Sequence, residues 1–274
     1  MRFAIPTPAT SAVEIGPLTI HFYALCIIAG VALAIWLGNH RFTKAHDGVD
    51  GVVADVAIIA VPAGVVGGRI YHVLTTPEKY FGSGAEFNDV FKIWNGGLGI
   101  WGAIALGTLG AFLSYRRIGR TRALPQFSAF AAALAPGLLL AQAIGRWGNW
   151  FNGELFGRPL DAPWALSIPL ELRPVGYEEF VTFHPTFLYE SLWCLVVALI
   201  LVTYVKSKKL KPGSIFALYV SLYSLGRGVI ETIRIDDANL ILGLRLNIWT
   251  SVLLLIGPLI YLRNLNLRSK TGIE

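Results

Sequence analysis

The chain has 274 residues, 54% of them hydrophobic and 15% charged. Soluble domains carry about 25% charged residues, so a soluble globular protein is excluded, and the recurring apolar runs of membrane-spanning length exclude a β-barrel of short alternating strands. The net charge of +6 lies in short basic clusters between apolar runs, the pattern of membrane topology and anionic lipid and not of a nucleic-acid-binding face.

Residues 1–17 hold one Lys/Arg and three prolines. No basic segment followed by an apolar core opens the chain, so no cleavable signal peptide is expected and the first span directs insertion. Seven spans are read at roughly 18–40, 51–75, 97–115, 124–146, 186–205, 213–232 and 246–263. The loops between them alternate in charge. One set carries Arg41 and Lys44, then Arg116, Arg117, Arg120 and Arg122, then Lys206, Lys208, Lys209 and Lys211, then Arg263, Arg268 and Lys270. The opposite set carries Arg2, Lys79, Lys92, Arg158, Arg173, Arg234 and Arg245 over longer segments. The positive-inside rule places the first set in the cytoplasm, the N-terminus outside and the C-terminus inside. The fold class is therefore all-α and polytopic, with about seven transmembrane helices in one integral membrane domain, 1–274. Residues 147–185 form one long periplasmic excursion, marked by prolines 159, 163, 169 and 174.

Three arginines fall within the spans or at their ends, each after a glycine: Gly68-Arg69, Gly145-Arg146 and Gly226-Arg227. Each lies about 14–22 residues past the cytoplasmic start of its helix, roughly 21–33 Å at 1.5 Å per residue. They share the outer half of the bilayer. A single such arginine snorkels to headgroups; three at one depth make a pocket for an anion, and phosphate is the anion a bilayer offers. Around them stand further polar residues. His21 and Tyr23 open the first span. Gly64, Gly67 and Gly68 suit close helix packing, and His72 follows Arg69 on one face. Gly96, Gly97 and Gly99 precede Trp101, where backbone N–H groups would suit an anion and close helix packing is the equal alternative. His184, Tyr189 and Glu190 surround the start of the fifth span, Glu190 being equally a helix N-terminal carboxylate or a site residue. Tyr223, Arg227 and Glu231 recur at i, i+4 and i+8 on one face, with Arg227 and Glu231 expected to pair. Cys26 and Cys194 lie inside apolar runs, where packing is their expected role. No metal-ligand spacing occurs, so no metal or other cofactor is expected.

The most distinctive stretch is Gly145-Arg146-Trp147-Gly148-Asn149-Trp150-Phe151-Asn152-Gly153-Glu154-Leu155-Phe156-Gly157. It ends a run from Ala123 to Gly145 without a charge. An ordinary helix end explains an arginine and tryptophans at an interface, but not two amides, a carboxylate and four glycines beside them. The pattern G-R-x-G-N-x-x-N-G-E-x-x-G resembles the signature of the prolipoprotein diacylglyceryl transferases. His21-Phe22-Tyr23, Gly67-Gly68-Arg69, Gly96-Gly97, His184-Pro185, Leu188-Tyr189-Glu190 and Tyr223 with Arg227 and Glu231 fit the same family in order, over nearly the whole chain. One position departs: the family often has a histidine after the Gly-Gly pair, and here Trp101 stands there, which cannot act as a base.

The resemblance implies a bacterial cytoplasmic-membrane enzyme. It would move the sn-1,2-diacylglyceryl group of phosphatidylglycerol to the lipobox cysteine thiol of a prolipoprotein signal peptide, releasing glycerol 1-phosphate. It implies Arg146 on the lipid phosphate and Arg227 at the leaving group. Asn149 and Asn152 would hydrogen-bond glycerol or phosphate, and Glu154 and Glu231 would orient the arginines or accept hydrogen bonds from the glycerol head. Gly157 would supply a turn, Tyr23 and Tyr223 would line the site, and Arg69 would join the anion pocket. His21 and His184 are the candidates for proton acceptor, with His184 in the matching motif; the alternative is that the field of the arginines suffices without a strong base. Two other readings are a transporter or channel for an anionic lipid or small organic anion, and a different lipid-modifying enzyme. The outer-leaflet position of the polar residues argues against the first. The lack of aspartate-rich metal motifs and of a G-x-S-x-G elbow argues against the second.

Overall fold

The computed structural model describes residues 4–271 except 17, 48, 83, 85, 209 and 239, and for residues 18, 95, 204–208, 212 and 266–271 it describes the backbone alone. Arg2 and Lys209 of the charge pattern lie outside the described residues, as do the side chains of Lys206, Lys208, Arg268 and Lys270. Eight helices are described: α1 (Phe22–Ala45), α2 (Val52–Thr75), α3 (Glu78–Phe81), α4 (Ile100–Ile118), α5 (Phe127–Asn152), α6 (Thr186–Lys208), α7 (Pro212–Glu231) and α8 (Leu246–Thr271). Apolar runs of this length become helices because in lipid every backbone polar group must be satisfied within the segment. Six of the described helices, α1, α2, α5, α6, α7 and α8, are long and apolar enough to cross a membrane. The span expected at 97–115 is α4, helical over 19 residues but with Arg116 and Arg117 in its last turn, and it falls outside those six.

Several boundaries move, two of them next to the signature stretch and the first-span residues His21 and Tyr23. The first span was expected from residue 18, but Leu18–His21 is a strand, β3, paired antiparallel with β2 (Ala12–Ile15), with Ala12 opposite His21. Thr19 and Ile20 are β-branched and suit a pleated pair, so the helix begins only at Phe22. The fourth span was expected to end at residue 146, but α5 continues to Asn152.

The chain forms two compact units, residues 1–37 with 131–274, and residues 38–130. In the first, α5, α6 and α7 enclose a core of Ala135, Leu139, Ala143, Cys194, Val197, Ala198, Leu201 and Tyr219. Small residues bring backbones together: a Cβ on Gly30 of α1 would lie 2.9 Å from the Ala141 carbonyl oxygen of α5. On α7, Gly226 leaves room for the indole of Trp193, whose Nε1 donates to the Leu222 carbonyl at 2.8 Å. That contact sets α6 against the helix face carrying Arg227.

The excursion is folded. Strand β1 (Ile5–Pro6) runs parallel to β4 (Leu166–Ser167), with Ile5 opposite Leu166. Strand β5 (Thr182–Phe183) closes the other edge of β4, with Leu166 opposite Phe183. A core of Phe156, Leu166, Ile168, Phe183 and Phe187 fills the space beneath. A short hairpin, β6 (Leu240–Ile241) and β7 (Leu244–Arg245), leads directly into α8.

In the second unit α2 and α4 pack through glycines. A Cβ on Gly102 would lie 2.0 Å from the Gly67 carbonyl oxygen, and one on Gly67 would lie 2.3 Å from that of Gly102. The Gly99 N–H donates to the Gly68 carbonyl at 2.8 Å. Gly64, Gly67 and Gly68 thus serve close packing, as their spacing suggests.

Candidate active site

The site is built from the last turns of α5. Trp147 and Trp150 pack on Phe187, at centroid distances of 5.4 and 6.0 Å. Trp150 Nε1 donates to the Pro6 carbonyl at 2.9 Å. This anchoring carries the helix past Arg146, so that Arg146 and Asn149 sit one turn apart on one face. Gly153 then takes φ +62° and Leu155 φ +58°, and these two residues reverse the chain. Gly157, expected to supply the turn, has another task. A Cβ there would lie 2.8 Å from His184 Cβ and 3.0 Å from the Ile233 carbonyl oxygen, so it is glycine because two segments approach it closely.

The reversal folds Glu154 back onto the helix end. Its N–H donates to the Asn149 carbonyl at 3.1 Å. Its Oε1 accepts from Asn149 Nδ2 and from Asn152 Nδ2, each at 3.0 Å. Both amides of the signature therefore converge on its one carboxylate. Tyr23 packs on the same helix, where a Cβ on Gly148 would lie 2.4 Å from its Cδ2.

A chain of ion pairs runs through the three helices. Arg146 Nε meets Glu190 Oε2 at 2.6 Å, and an Arg146 terminal nitrogen faces the Tyr223 hydroxyl at 3.5 Å. Glu190 also meets Arg227 at 3.5 Å, so a single buried carboxylate from α6 holds the arginines of α5 and α7. Arg227 pairs with Glu231 at 2.5 Å, the i,i+4 pair expected from sequence. Glu231 is fully buried and lies 2.7 Å from Arg245 and 3.7 Å from Arg234. Asp236 receives both: Arg234 at 2.7 and 2.8 Å, and Arg245 at 2.9 Å. Four guanidinium groups thus meet three carboxylates along this chain, leaving one positive charge over. Burial would raise the pKa of Asp236, but Arg234 and Arg245 outweigh it and hold the carboxyl below the usual aspartate range.

His184 follows β5. Its Nδ1 lies 3.2 Å from the Tyr189 hydroxyl, which also accepts from Trp164 Nε1 at 3.2 Å. Its N–H donates to the Arg158 carbonyl and its carbonyl accepts from the Gly157 N–H, both at 3.0 Å. Burial, with Arg158 adding to it, pushes the imidazole pKa below the ordinary histidine value and so favours the neutral ring. The end of the signature is tied to the end of α7, since the Arg158 N–H donates to the Ile233 carbonyl at 2.9 Å.

Arg69 stands in the second unit. Its guanidinium donates to the carbonyls of Val90 at 2.7 Å, Gly96 at 2.7 Å, Gly97 at 3.0 Å and Lys92 at 3.3 Å, and to that of Asp89. It lies over the Tyr80 ring, 4.9 Å from the centroid. The sequence suggested N–H groups of Gly96 and Gly97 facing an anion; their carbonyls face a cation instead. Both glycines take positive φ, +80° and +79°, which turns those carbonyls toward Arg69. His72 lies edge-on to Tyr80 at 5.8 Å, and Trp101 falls in the first turn of α4. His21 ends β3. Among the described residues no group of three or more His, Cys, Asp or Glu is placed to hold a metal ion.

Sequence reasoning missed Arg234, Asp236, Arg245 and Asn247, whose Nδ2 donates to Glu231 Oε1 at 3.1 Å, as parts of this network. Arg234 and Arg245 were read only as outer-loop charges. The available signal was Arg234 three residues after Glu231, with Asp236 two further on. For Glu190, weighed equally as a helix-start carboxylate, its two arginine partners are the new information.

The family model described as prolipoprotein diacylglyceryl transferase matches residues 10–263. The chain belongs to this family. A phosphatidylglycerol–prolipoprotein diacylglyceryl transferase of Streptomyces griseus is 53% identical over 94% of this chain and 76% of its own length. One of Paenarthrobacter aurescens is 51% identical over 94% and 82%, and one of Cutibacterium acnes 46% identical over 100% and 90%. In this member of the prolipoprotein diacylglyceryl transferase family, the signature stretch is the end of α5 and the reversal after it.

Proposed function

We propose that the protein is a multi-pass enzyme of the bacterial cytoplasmic membrane, with its N-terminus outside and C-terminus inside. It transfers the sn-1,2-diacylglyceryl group of phosphatidylglycerol to the lipobox cysteine thiol of prolipoprotein signal peptides. The thiolate sulfur attacks the sn-3 carbon of the diacylglyceryl group. A C–S bond forms, the C–O bond to phosphate breaks with its electron pair on oxygen, and glycerol 1-phosphate leaves. This is the first step of lipoprotein maturation.

The observation that carries this reading is the Arg146–Glu190–Arg227 bridge on a buried carboxylate, with one positive charge in excess along its chain of pairs. A phosphodiester brings one negative charge and balances it. Arginines fixed by a carboxylate are preorganised for charge that develops on the leaving oxygen, and such stabilisation is often the largest single contribution to catalysis. In this reading Arg146 and Tyr223 hold the lipid phosphate, and Arg227, set by Glu190 and Glu231, stabilises the leaving group. Asn149, Asn152 and Glu154 bind the glycerol end, and Tyr23 and Gly157 shape the walls. A free thiol has a pKa near 8.5, so little is thiolate at neutral pH; the positive field raises that fraction, and His184 takes the proton. Arg69 supports the outer loop of its own unit.

The test uses purified protein, phosphatidylglycerol and a lipobox peptide, with mass detection of the thioether. The wild type yields the diacylglyceryl thioether and Arg146→Ala yields almost none. A well-folded wild type that makes no thioether would overturn the proposal.

A further inference from the structure

The geometry points to Arg245 as a positioning residue that sets Arg227 through Glu231; this rests on the transferase reading and deepens it. Glu231 ends α7 with no exposed surface, so the placement of its two oxygens is decided by its partners. Oε1 accepts from Arg245 Nε at 2.7 Å and from Asn247 Nδ2 at 3.1 Å. Oε2 faces Arg227 at 2.5 Å and Arg234 at 3.7 Å. The carboxylate is thus divided: one oxygen goes to the start of α8 and the hairpin before it, the other to the arginine of the site.

Arg245 is itself held. A terminal nitrogen meets Asp236 Oδ2 at 2.9 Å, and the other donates to the Asp236 carbonyl at 2.6 Å. Asp236 is fixed in turn by the two-pronged contact with Arg234. The planar fork of Arg245 therefore bridges two carboxylates at a fixed angle, which a lysine, being a point charge, does not reproduce. Losing that fork leaves Oε1 with Asn247 as its remaining donor, lets the Glu231 carboxylate rotate, and shifts the Arg227 guanidinium with it. Electrostatic stabilisation of a developing charge requires placement within about 0.5 Å, so a residue that touches no substrate acts on the chemical step.

If Arg227 works mainly on the leaving group, its misplacement removes an interaction made only in the transition state. Then kcat and kcat/KM fall together while KM holds. Arg245→Lys in full-length enzyme, assayed with phosphatidylglycerol and lipobox peptide, is expected to lose about tenfold in kcat, with KM for phosphatidylglycerol within about twofold. Asp236→Asn shifts kcat in the same direction by less. The deciding measurement is a double-mutant cycle. In an Arg227→Lys background, Arg245→Lys costs less than about twofold, because the group it positions is already gone. Losses that multiply in full, or Arg245→Lys at the wild-type kcat, overturn the inference. An active wild type beside either result fails this inference alone, whereas an inactive wild type fails the transferase reading itself.

Discussion

Arg146 and Arg69 begin alike: each follows a glycine, and each was expected at similar depth in a span. Their partners differ in kind. Arg146 meets a carboxylate that it shares with Arg227, and the chain of pairs keeps one positive charge over. Arg69 is surrounded by backbone carbonyls and an aromatic face. Carbonyls bring dipoles but no net charge, and here they complete the guanidinium's hydrogen bonds, so Arg69 organises a loop. Shared carboxylates fix an arginine while keeping its field available to an anion. Partner identity, more than the Gly-Arg pair or burial, separates an arginine that builds structure from one equipped to bind.

The sharpest way to break that contrast is Arg146→Ala. It is expected to cut thioether formation by about a thousandfold. Arg69→Ala is expected instead to act on stability, lowering the thermal midpoint by roughly 5 °C or more as five carbonyls lose their donor. The turnover of the molecules that remain folded should stay within about twofold. An Arg69→Ala protein that melts like wild type but has lost its turnover would erase the distinction.

Next in size is His184→Gln, with an expected loss of about a hundredfold. Because burial and Arg158 lower the imidazole pKa, the wild-type rate should rise with pH through an apparent value below about 6.5 and level off before neutrality. A base works only when deprotonated, so the activity disappears as pH falls through that value. The variant should lack this limb; a variant that keeps the wild-type acid limb would dismiss His184 as proton acceptor. Gly157→Ala should cost about tenfold, since its Cβ would push His184 or the Ile233 carbonyl by a few tenths of an ångström. The smallest effect is expected from Trp101→His, within about twofold in turnover. A large gain would assign a proton-transfer role to that position.

Much of this was legible from residues alone. Apolar runs and loop charges delineated the helices, and glycine spacing on α2 foretold its tight packing. The i,i+4 rule foretold the Arg227–Glu231 pair. What escaped was non-local. Nothing in the local pattern says that Glu190, at the start of α6, joins arginines 44 residues before and 37 after it. The folded excursion was invisible because its strands are two residues long and one partner, Ile5–Pro6, lies near the start of the chain. The end of α5 was misplaced because an arginine reads as the limit of an apolar run, while the aromatic anchors beyond it carry the helix further.

Strand β1 has a consequence for how the protein is made. Thr7 Oγ1 donates to the Ser167 carbonyl at 2.7 Å across 160 positions of sequence. The ribosome therefore releases one side of this sheet long before the other exists, and the first strand waits while the intervening helices are inserted. Closing so distant a contact is intrinsically slow, so the excursion, and the reversal of α5 that it braces, is assembled late. A nascent chain stalled before Leu166 would carry several inserted helices and no organised site. Protease protection of the excursion, followed during synthesis, would time the appearance of the site separately from membrane insertion.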